Sequence, residues 1–118
     1  MKIDKETIKT IENNPIAIAT ATRDGTPNAA VVAYVKVKNN KLIITNNYME
    51  KTVDNIKQNQ NISIVVWNKD WRGYKIQGTA EYTEKGAQFE FVKSMKENKE
   101  EPCKGAIIVA IKSIKKIG

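Results

Sequence analysis

The sequence predicts a mainly β (α+β) fold: a six-stranded antiparallel barrel with about three short helices, formed by residues 1–118 as a single domain. Three observations support this. A chain of 118 residues can form one hydrophobic core but is too short for two. The predicted strands follow one another as hairpins, which disfavours a parallel doubly wound sheet. Six antiparallel strands can also close on one another, and closure removes unpaired edges.

The N-terminal half is predicted to contain two helices and three strands. Asp4 can cap the first helix, and Pro15 follows its end. Asp24-Gly25 is typical of a hairpin turn between two strands. The predicted elements are, in order, a helix over 4–13, strands over 16–22, 28–38 and 41–45, and a helix over 50–58.

The C-terminal half is predicted to contain three strands and one helix. Apolar residues alternate over 62–67, as in a strand with one buried face. Gly78 predicts a bulge or a close backbone approach. Ala87, Phe91 and Met95 are spaced by four, which favours a helix. The predicted elements are strands over 62–67 and 74–83, a helix over 84–98 and a strand over 106–116.

Charge and composition limit the function classes. The net charge of +7 invites an anionic partner, such as nucleic acid, a membrane surface or a phosphorylated small molecule. The lysines are dispersed, however, as on an ordinary solvated surface. The apolar runs are strand-sized and no signal-like segment follows Met1, so a cytoplasmic protein is expected.

Catalytic and metal-binding constellations are absent from the sequence. It contains no histidine and a lone cysteine, Cys103, which excludes a histidine-based triad and disfavours a zinc site. We therefore predict no catalytic residue and no metal ligand. If the protein is an enzyme, a cofactor must supply the chemistry.

Two segments point to a ligand. The run Ala29–Val35 hardly alternates, so it should be covered on both faces by a dimer interface or a bound ligand. Lys51 and Thr52 open a predicted helix directly after a strand and a polar loop. A lysine there, with the free N–H groups of the first turn, can hold a phosphate. The alternative for this pair is an ordinary solvated helix start.

The order of several short segments resembles the pyridoxamine-phosphate-oxidase-like family of FMN-binding split barrels, especially its minimal FMN-binding proteins. The matching segments are Ala17-Ile18-Ala19-Thr20, Asp24-Gly25-Thr26-Pro27, Tyr34-Val35-Lys36-Val37, Leu42-Ile43-Ile44-Thr45-Asn46, Met49-Glu50-Lys51-Thr52, Asn55-Ile56, the strand Asn61 to Trp67, and Gly78-Thr79-Ala80-Glu81. The resemblance implies a six-stranded Greek-key split barrel that works as a homodimer, with FMN at the interface.

The resemblance also implies the site residues. The edge of the flavin ring would be contacted by the second strand, at Ala29, Ala30, Val31 and Val32. Thr45 and Asn46 would contact the ring or ribityl chain, and Lys51 and Thr52 the phosphate. As alternatives, the first group is core strand, and Thr45 and Asn46 are a strand end and turn. Trp67 is expected in the dimer interface, and Trp71 is left unassigned.

The sequence departs from the oxidases of that family. Where they resemble one another in carrying arginines, this chain has Ala29, Tyr34 and Glu50, and its only arginines are Arg23 and Arg72. We therefore predict that pyridoxamine phosphate is not its substrate. The missing arginines also leave the deazaflavin F420 as an alternative cofactor.

Three function classes follow. The favoured one is a flavin-dependent oxidoreductase or electron carrier. A basic nucleic-acid-binding barrel is disfavoured, because the aromatics Tyr48, Trp67, Trp71 and Tyr74 fall in two separate segments. A cofactor-free protein that keeps only the fold is the third.

Overall fold

The computed structural model describes residues 2–98 and 100–118. Seven strands form one antiparallel sheet, in the order β2-β1-β5-β6-β7-β4-β3, which curls into a half-barrel. The elements are, in chain order, α1 (Lys5–Asn13), β1 (Ile16–Ala21), β2 (Pro27–Val32), β3 (Val35–Lys38), β4 (Lys41–Asn46), α2 (Glu50–Gln58), β5 (Asn61–Trp67), β6 (Gly73–Thr83), α3 (Ala87–Lys93), a 3-10 turn (Lys96–Asn98) and β7 (Gly105–Ile117).

The predicted fold class is confirmed, but the strand count is wrong by one. The single strand predicted over 28–38 is two strands, β2 and β3, separated by Ala33 and Tyr34. Strand β2 pairs with β1, whereas β3 pairs with β4 at the opposite end of the sheet order. The apolar run continues through the bend, so the pattern gave no sign of the change of partner.

The main core lies on one face of the sheet. Ile18, Ile64 and Ile76 are cross-strand neighbours and are buried. Because side chains alternate along a strand, the next residues point to the other face. Helix α2 covers the core face with Val53 and Ile56, which belong to the same apolar cluster.

A second, smaller cluster lies under α3. Ile43 of β4 and Ala106 of β7 pack there with Val92 and Met95. Helix α3 therefore covers β4 and β7 and leaves the outer face of β2, β1 and β5 without a helix among the described residues.

The bulge predicted at Gly78 is confirmed. The register of β6 against β7 shifts between Gln77 and Gly78. A Cβ atom at Gly78 would clash with the carbonyl oxygen of Ala110. This glycine therefore permits the close approach of the two longest strands.

The helix predicted over 84–98 is much shorter than expected. Gly86, with φ +93°, precedes α3, which ends at Lys93 and is followed by the 3-10 turn. The Ser94 hydroxyl donates to the carbonyl of Phe91, and the Asn98 side chain donates to that of Val92. Side chains that bond to nearby carbonyls in this way compete with continued helix.

No helix in residues 2–98 and 100–118 has the length and apolar character needed to cross a membrane.

Candidate functional site

A cleft of about 240 Å³ lies where three segments of the chain meet. One wall is formed by residues 31–34, at the end of β2 and the bend that follows. A second is formed by residue 45 and residues 47–49, at the end of β4 and the loop before α2. The third is formed by Glu97, Asn98 and Glu101, which we call the acidic wall.

The cleft brings together three of the predicted site residues. Val31 and Val32, expected at the ring edge, share it with Thr45. Val31 is 73% exposed, whereas Val32 and Thr45 are buried. Ala29 and Ala30 lie farther along β2 and do not line the cleft. The roles of all these residues at a flavin stay predictions.

Asn46 fixes the loop that leads from the cleft to α2. Its Oδ1 accepts from the Met49 backbone N–H at 2.9 Å, and its Nδ2 donates to the Tyr82 hydroxyl at 3.1 Å. Its backbone carbonyl accepts from the N–H of Lys104 at 2.8 Å. Asn46 is buried and does not line the cleft. It therefore holds Met49, which lines the cleft, directly before the helix.

The N-terminus of α2 carries the predicted phosphate residues. Met49 occupies the capping position and its side chain makes no capping hydrogen bond. The first backbone bond of the helix runs from the Val53 N–H to the Met49 carbonyl at 3.0 Å. The three preceding N–H groups, of residues 50–52, have no hydrogen-bond acceptor among the described residues. Unpaired N–H groups and the helix dipole favour an anion at this position.

The charged side chains at this helix start differ in their surroundings. Lys51 is exposed and forms no ion pair with a described residue. Glu50 lies 3.6 Å from the amino group of Lys104 and is mostly solvated. Thr52 is only 2% exposed, so its side chain is buried in the protein.

The acidic wall was missed by the sequence interpretation. Asn98 contacts Thr45 across 53 positions of sequence, through a hydrogen bond of 2.7 Å from Nδ2 to the threonine hydroxyl. Glu97 lies 3.3 Å from the amino group of Lys36. The hydrogen bond from its own backbone N–H and then Lys36 hold the pKa of Glu97 below its ordinary value, so it is charged at neutral pH.

Two tyrosines complete the cleft and were not predicted there. Tyr34 and Tyr48 are 49% and 74% exposed. The Tyr48 hydroxyl donates to Glu101 at 3.0 Å, and this bond raises the pKa of Tyr48 above its ordinary value. The phenol therefore stays protonated at neutral pH. Only the polar character of the loop Asn46–Met49 marked this region in the sequence.

The two tryptophans do not line the cleft. Trp67 is half-buried at the end of β5, and Trp71 is exposed at the tip of the β5–β6 hairpin with φ +63°. Within residues 2–98 and 100–118, no group of three or more Cys, Asp or Glu side chains could hold a metal ion.

Known sequences show where the chain belongs. The family model described as pyridoxamine 5'-phosphate oxidase matches residues 4–117. An uncharacterized protein of Methanocaldococcus jannaschii, MJ0282, is 31% identical over 119 residues, which cover 97% of this chain and 80% of that protein.

Solved structures show the same fold. HupZ of Group A Streptococcus is 26% identical, with a TM-score of 0.89 over 98% of this chain and 94% of that one. An FMN-binding protein of Syntrophomonas wolfei is 16% identical, with a TM-score of 0.77 over 97% and 83% of the two chains. An F420 reductase is 18% identical, with a TM-score of 0.72 over 96% and 98%. At such low identities the last two show a shared fold alone.

Proposed function

This chain belongs to the pyridoxamine 5'-phosphate oxidase family, and we propose that it is an FMN-binding flavoprotein, working as a flavin-dependent oxidoreductase or electron carrier. The observation that carries the proposal is the uncapped start of α2 beside a partly apolar cleft. Three N–H groups and the free cation of Lys51 suit a phosphate, while Val31 and Val32 suit a flat apolar ring.

The residues present fit the cofactor as two neighbouring subsites. Lys51, Thr52 and the first turn of α2 would hold the phosphate through charge-assisted hydrogen bonds. Ala29, Ala30, Val31 and Val32 would lie along the ring edge, and Thr45 and Asn46 near the ring or the ribityl chain. Bound FMN would supply redox chemistry, accepting hydride or electrons. The chain's own residues bind it, orient it and exclude water from it.

A second copy of the chain would complete the site. The cleft, at about 240 Å³, is smaller than the roughly 300–1,000 Å³ of pockets that enclose a drug-sized ligand. One protomer therefore cannot enclose FMN in this cleft.

The outer face of β2, β1 and β5 suits that second copy. Cross-strand neighbours Val31, Ala17 and Val65 form a row of small apolar side chains there, and Ala29 and Ala19 lie beside it. No described helix covers this face. We propose a symmetric homodimer that buries it, with a total of at least ~1,200 Å².

The chain is not proposed to oxidise pyridoxamine phosphate. Glu50 stands at the helix start where the oxidases resemble one another in carrying arginine, and its carboxylate opposes a phosphate. Ala29 and Tyr34 likewise offer no cation. At the helix start Lys104 is paired with Glu50, which leaves Lys51 as the cation without an ion-pair partner among the described residues. We therefore expect a flavin with its single phosphate group to bind more weakly than in the oxidases.

The absorption spectrum of the purified protein tests the proposal. We expect flavin bands, or their appearance on titration with FMN, and mass identification of the released chromophore separates FMN from F420. A protein that stays colourless and gains no flavin band at saturating FMN contradicts the proposal. Sedimentation equilibrium checks the dimer, and a monomer at micromolar concentration would contradict the composite site.

A further inference from the structure

The acidic wall carries carboxylates, so it suits a cation and not the phosphate of a flavin. In the sequence, residues 97–101 carry three glutamates and one lysine. Two of the glutamates, Glu97 and Glu101, line the cleft, and no described lining residue is a lysine or arginine. An anionic group would be repelled here and attracted at α2.

Asn98 adds an acceptor that has no hydrogen-bond donor among the described residues. Its Nδ2 donates to the carbonyl of Val92 at 2.8 Å and to the Thr45 hydroxyl at 2.7 Å. Because a carbonyl only accepts, these bonds identify the nitrogen and leave Oδ1 as the free acceptor. No described residue donates to that oxygen, and Asn98 is only 5% exposed while it lines the cleft. An unpartnered acceptor on a largely buried residue of the lining suits a donor from a ligand or from water.

The two carboxylates differ in how far they are neutralised. Glu97 is paired with Lys36, which does not line the cleft. Among residues 2–98 and 100–118, Glu101 receives only the hydrogen bond of the neutral Tyr48 hydroxyl. No described cation therefore neutralises Glu101, and the tyrosine holds its carboxylate in place.

We propose that the acidic wall binds a small organic ammonium ion. Glu101 supplies the counter-charge, and the exposed rings of Tyr34 and Tyr48 supply faces that attract cations. The free Oδ1 of Asn98 accepts a hydrogen bond from a ligand N–H or O–H. In the FMN-free protein the cleft volume of about 240 Å³ limits the ligand to a small molecule. The claim that the ammonium ion is a substrate rests on the proposed flavin function. The claim that it binds does not.

Three probes of nearly equal size test the charge preference. Choline is the cation, 3,3-dimethylbutan-1-ol is its neutral carbon isostere, and pivalate is an anion. We expect choline to bind the FMN-free protein at least about tenfold more tightly than the alcohol, and pivalate not to bind. Isothermal titration calorimetry gives the affinities, and a ¹⁵N NMR titration shows whether the Asn98 side-chain amide shifts.

Variants locate the site. Glu101→Gln should weaken choline about tenfold, and Tyr34→Leu should weaken it more than Tyr34→Phe, which keeps the ring. Glu84→Gln removes an exposed carboxylate elsewhere and should leave the affinity unchanged. Thermal melting confirms that each variant is folded.

Equal affinities for choline and its neutral isostere would overturn the proposal, as would an equal effect of Glu101→Gln and Glu84→Gln. FMN binding is titrated separately in the same proteins. Choline binding without FMN binding would contradict the proposed flavin function and leave this inference standing. FMN binding with no preference for choline would contradict this inference and leave the proposed flavin function standing.

Discussion

Helices α1 and α2 are both nine residues long, yet they begin in different ways. Asp4 caps α1, and its carboxylate accepts from the Thr7 N–H at 2.8 Å. Before α2 a similar bond forms, in which Asn46 accepts from the N–H of Met49 three residues later. Met49 precedes the helix, however, so this bond satisfies no N–H of the first turn. In α1 the capping side chain therefore accepts from an N–H of the first turn. In α2 the N–H groups of residues 50–52 have no acceptor among the described residues.

The difference separates a structural helix start from one suited to a ligand. Capping by Ser, Thr, Asp or Asn stabilises a helix, and omitting it costs stability. At α2 the capping position is held by Met49, which offers no acceptor, and Asn46 instead fixes the loop beside the cleft. The free N–H groups and Lys51 are then available for an anion.

The largest effect is expected from Asn46→Ala. The substitution leaves the Met49 N–H and the Tyr82 hydroxyl without their buried partner. We expect a loss of about 3 kcal/mol in the free energy of unfolding, since each unsatisfied buried group costs about 1–3 kcal/mol. Urea denaturation measures it.

Asn13→Ala is the matched control for that measurement. Among the described residues its side chain bonds to the exposed carbonyl of Lys9 alone, so the change should stay within about 0.5 kcal/mol. If the two alanine variants are equally stable, Asn46 does not hold the loop.

Capping α2 artificially should weaken FMN. Met49→Asn and Met49→Asp both lose the methionine packing and both offer an acceptor to the first turn, but only Asp adds a charge. We expect FMN affinity to fall about tenfold for Asn and about a hundredfold for Asp. Fluorescence titration measures both. Riboflavin, which lacks the phosphate, reports the loss of the methionine packing alone and should bind the two variants alike. Unchanged FMN affinity in both variants would show that the phosphate is not at this helix.

The smallest effect is expected at the capped helix. The hydrogen bonds from Thr7 hold the pKa of Asp4 below its ordinary value of 3.8. A lowered pKa means that the ionised carboxylate stabilises the folded state above pH 3.8, and that this contribution is lost as the pH falls through the folded-state pKa.

Asp4→Ala should therefore lower stability slightly at pH 7, and the gap from wild type should narrow toward pH 3. Urea denaturation across this pH range follows the gap. FMN affinity should not change. A gap that is constant with pH would mean that the carboxylate charge is not what stabilises α1.

Local patterns predicted much of the fold. The Asp4 cap, the Asp24-Gly25 turn and the Gly78 bulge each depend on residues close in sequence, and the structure contains all three. The split of residues 28–38 into two strands was not predictable in this way, because a change of strand partner leaves no mark on an apolar run. The end of α3 depends on Asn98 folding back onto Val92, which is equally invisible in helical spacing.

The site residues that could be predicted are those on a predicted strand or at a predicted helix start. Val31, Val32, Thr45 and Lys51 follow from such positions and from the family resemblance. The acidic wall does not, because Asn98 and Glu101 reach the cleft through contacts with Thr45 and Tyr48 across 53 residues of sequence. Neither spacing nor composition encodes contacts of that range.

Lys51→Ala tests the central claim most directly. It removes one charge-assisted contact worth about 1.5–3 kcal/mol, so FMN affinity should fall about ten- to a hundredfold while riboflavin affinity stays the same. Lys57→Ala, on the same helix but over the Tyr82 ring, is the matched control and should change neither. Fluorescence titration of both ligands into the three proteins gives the result. Equal FMN affinity in wild type and Lys51→Ala would contradict the account, because the phosphate would then lie elsewhere.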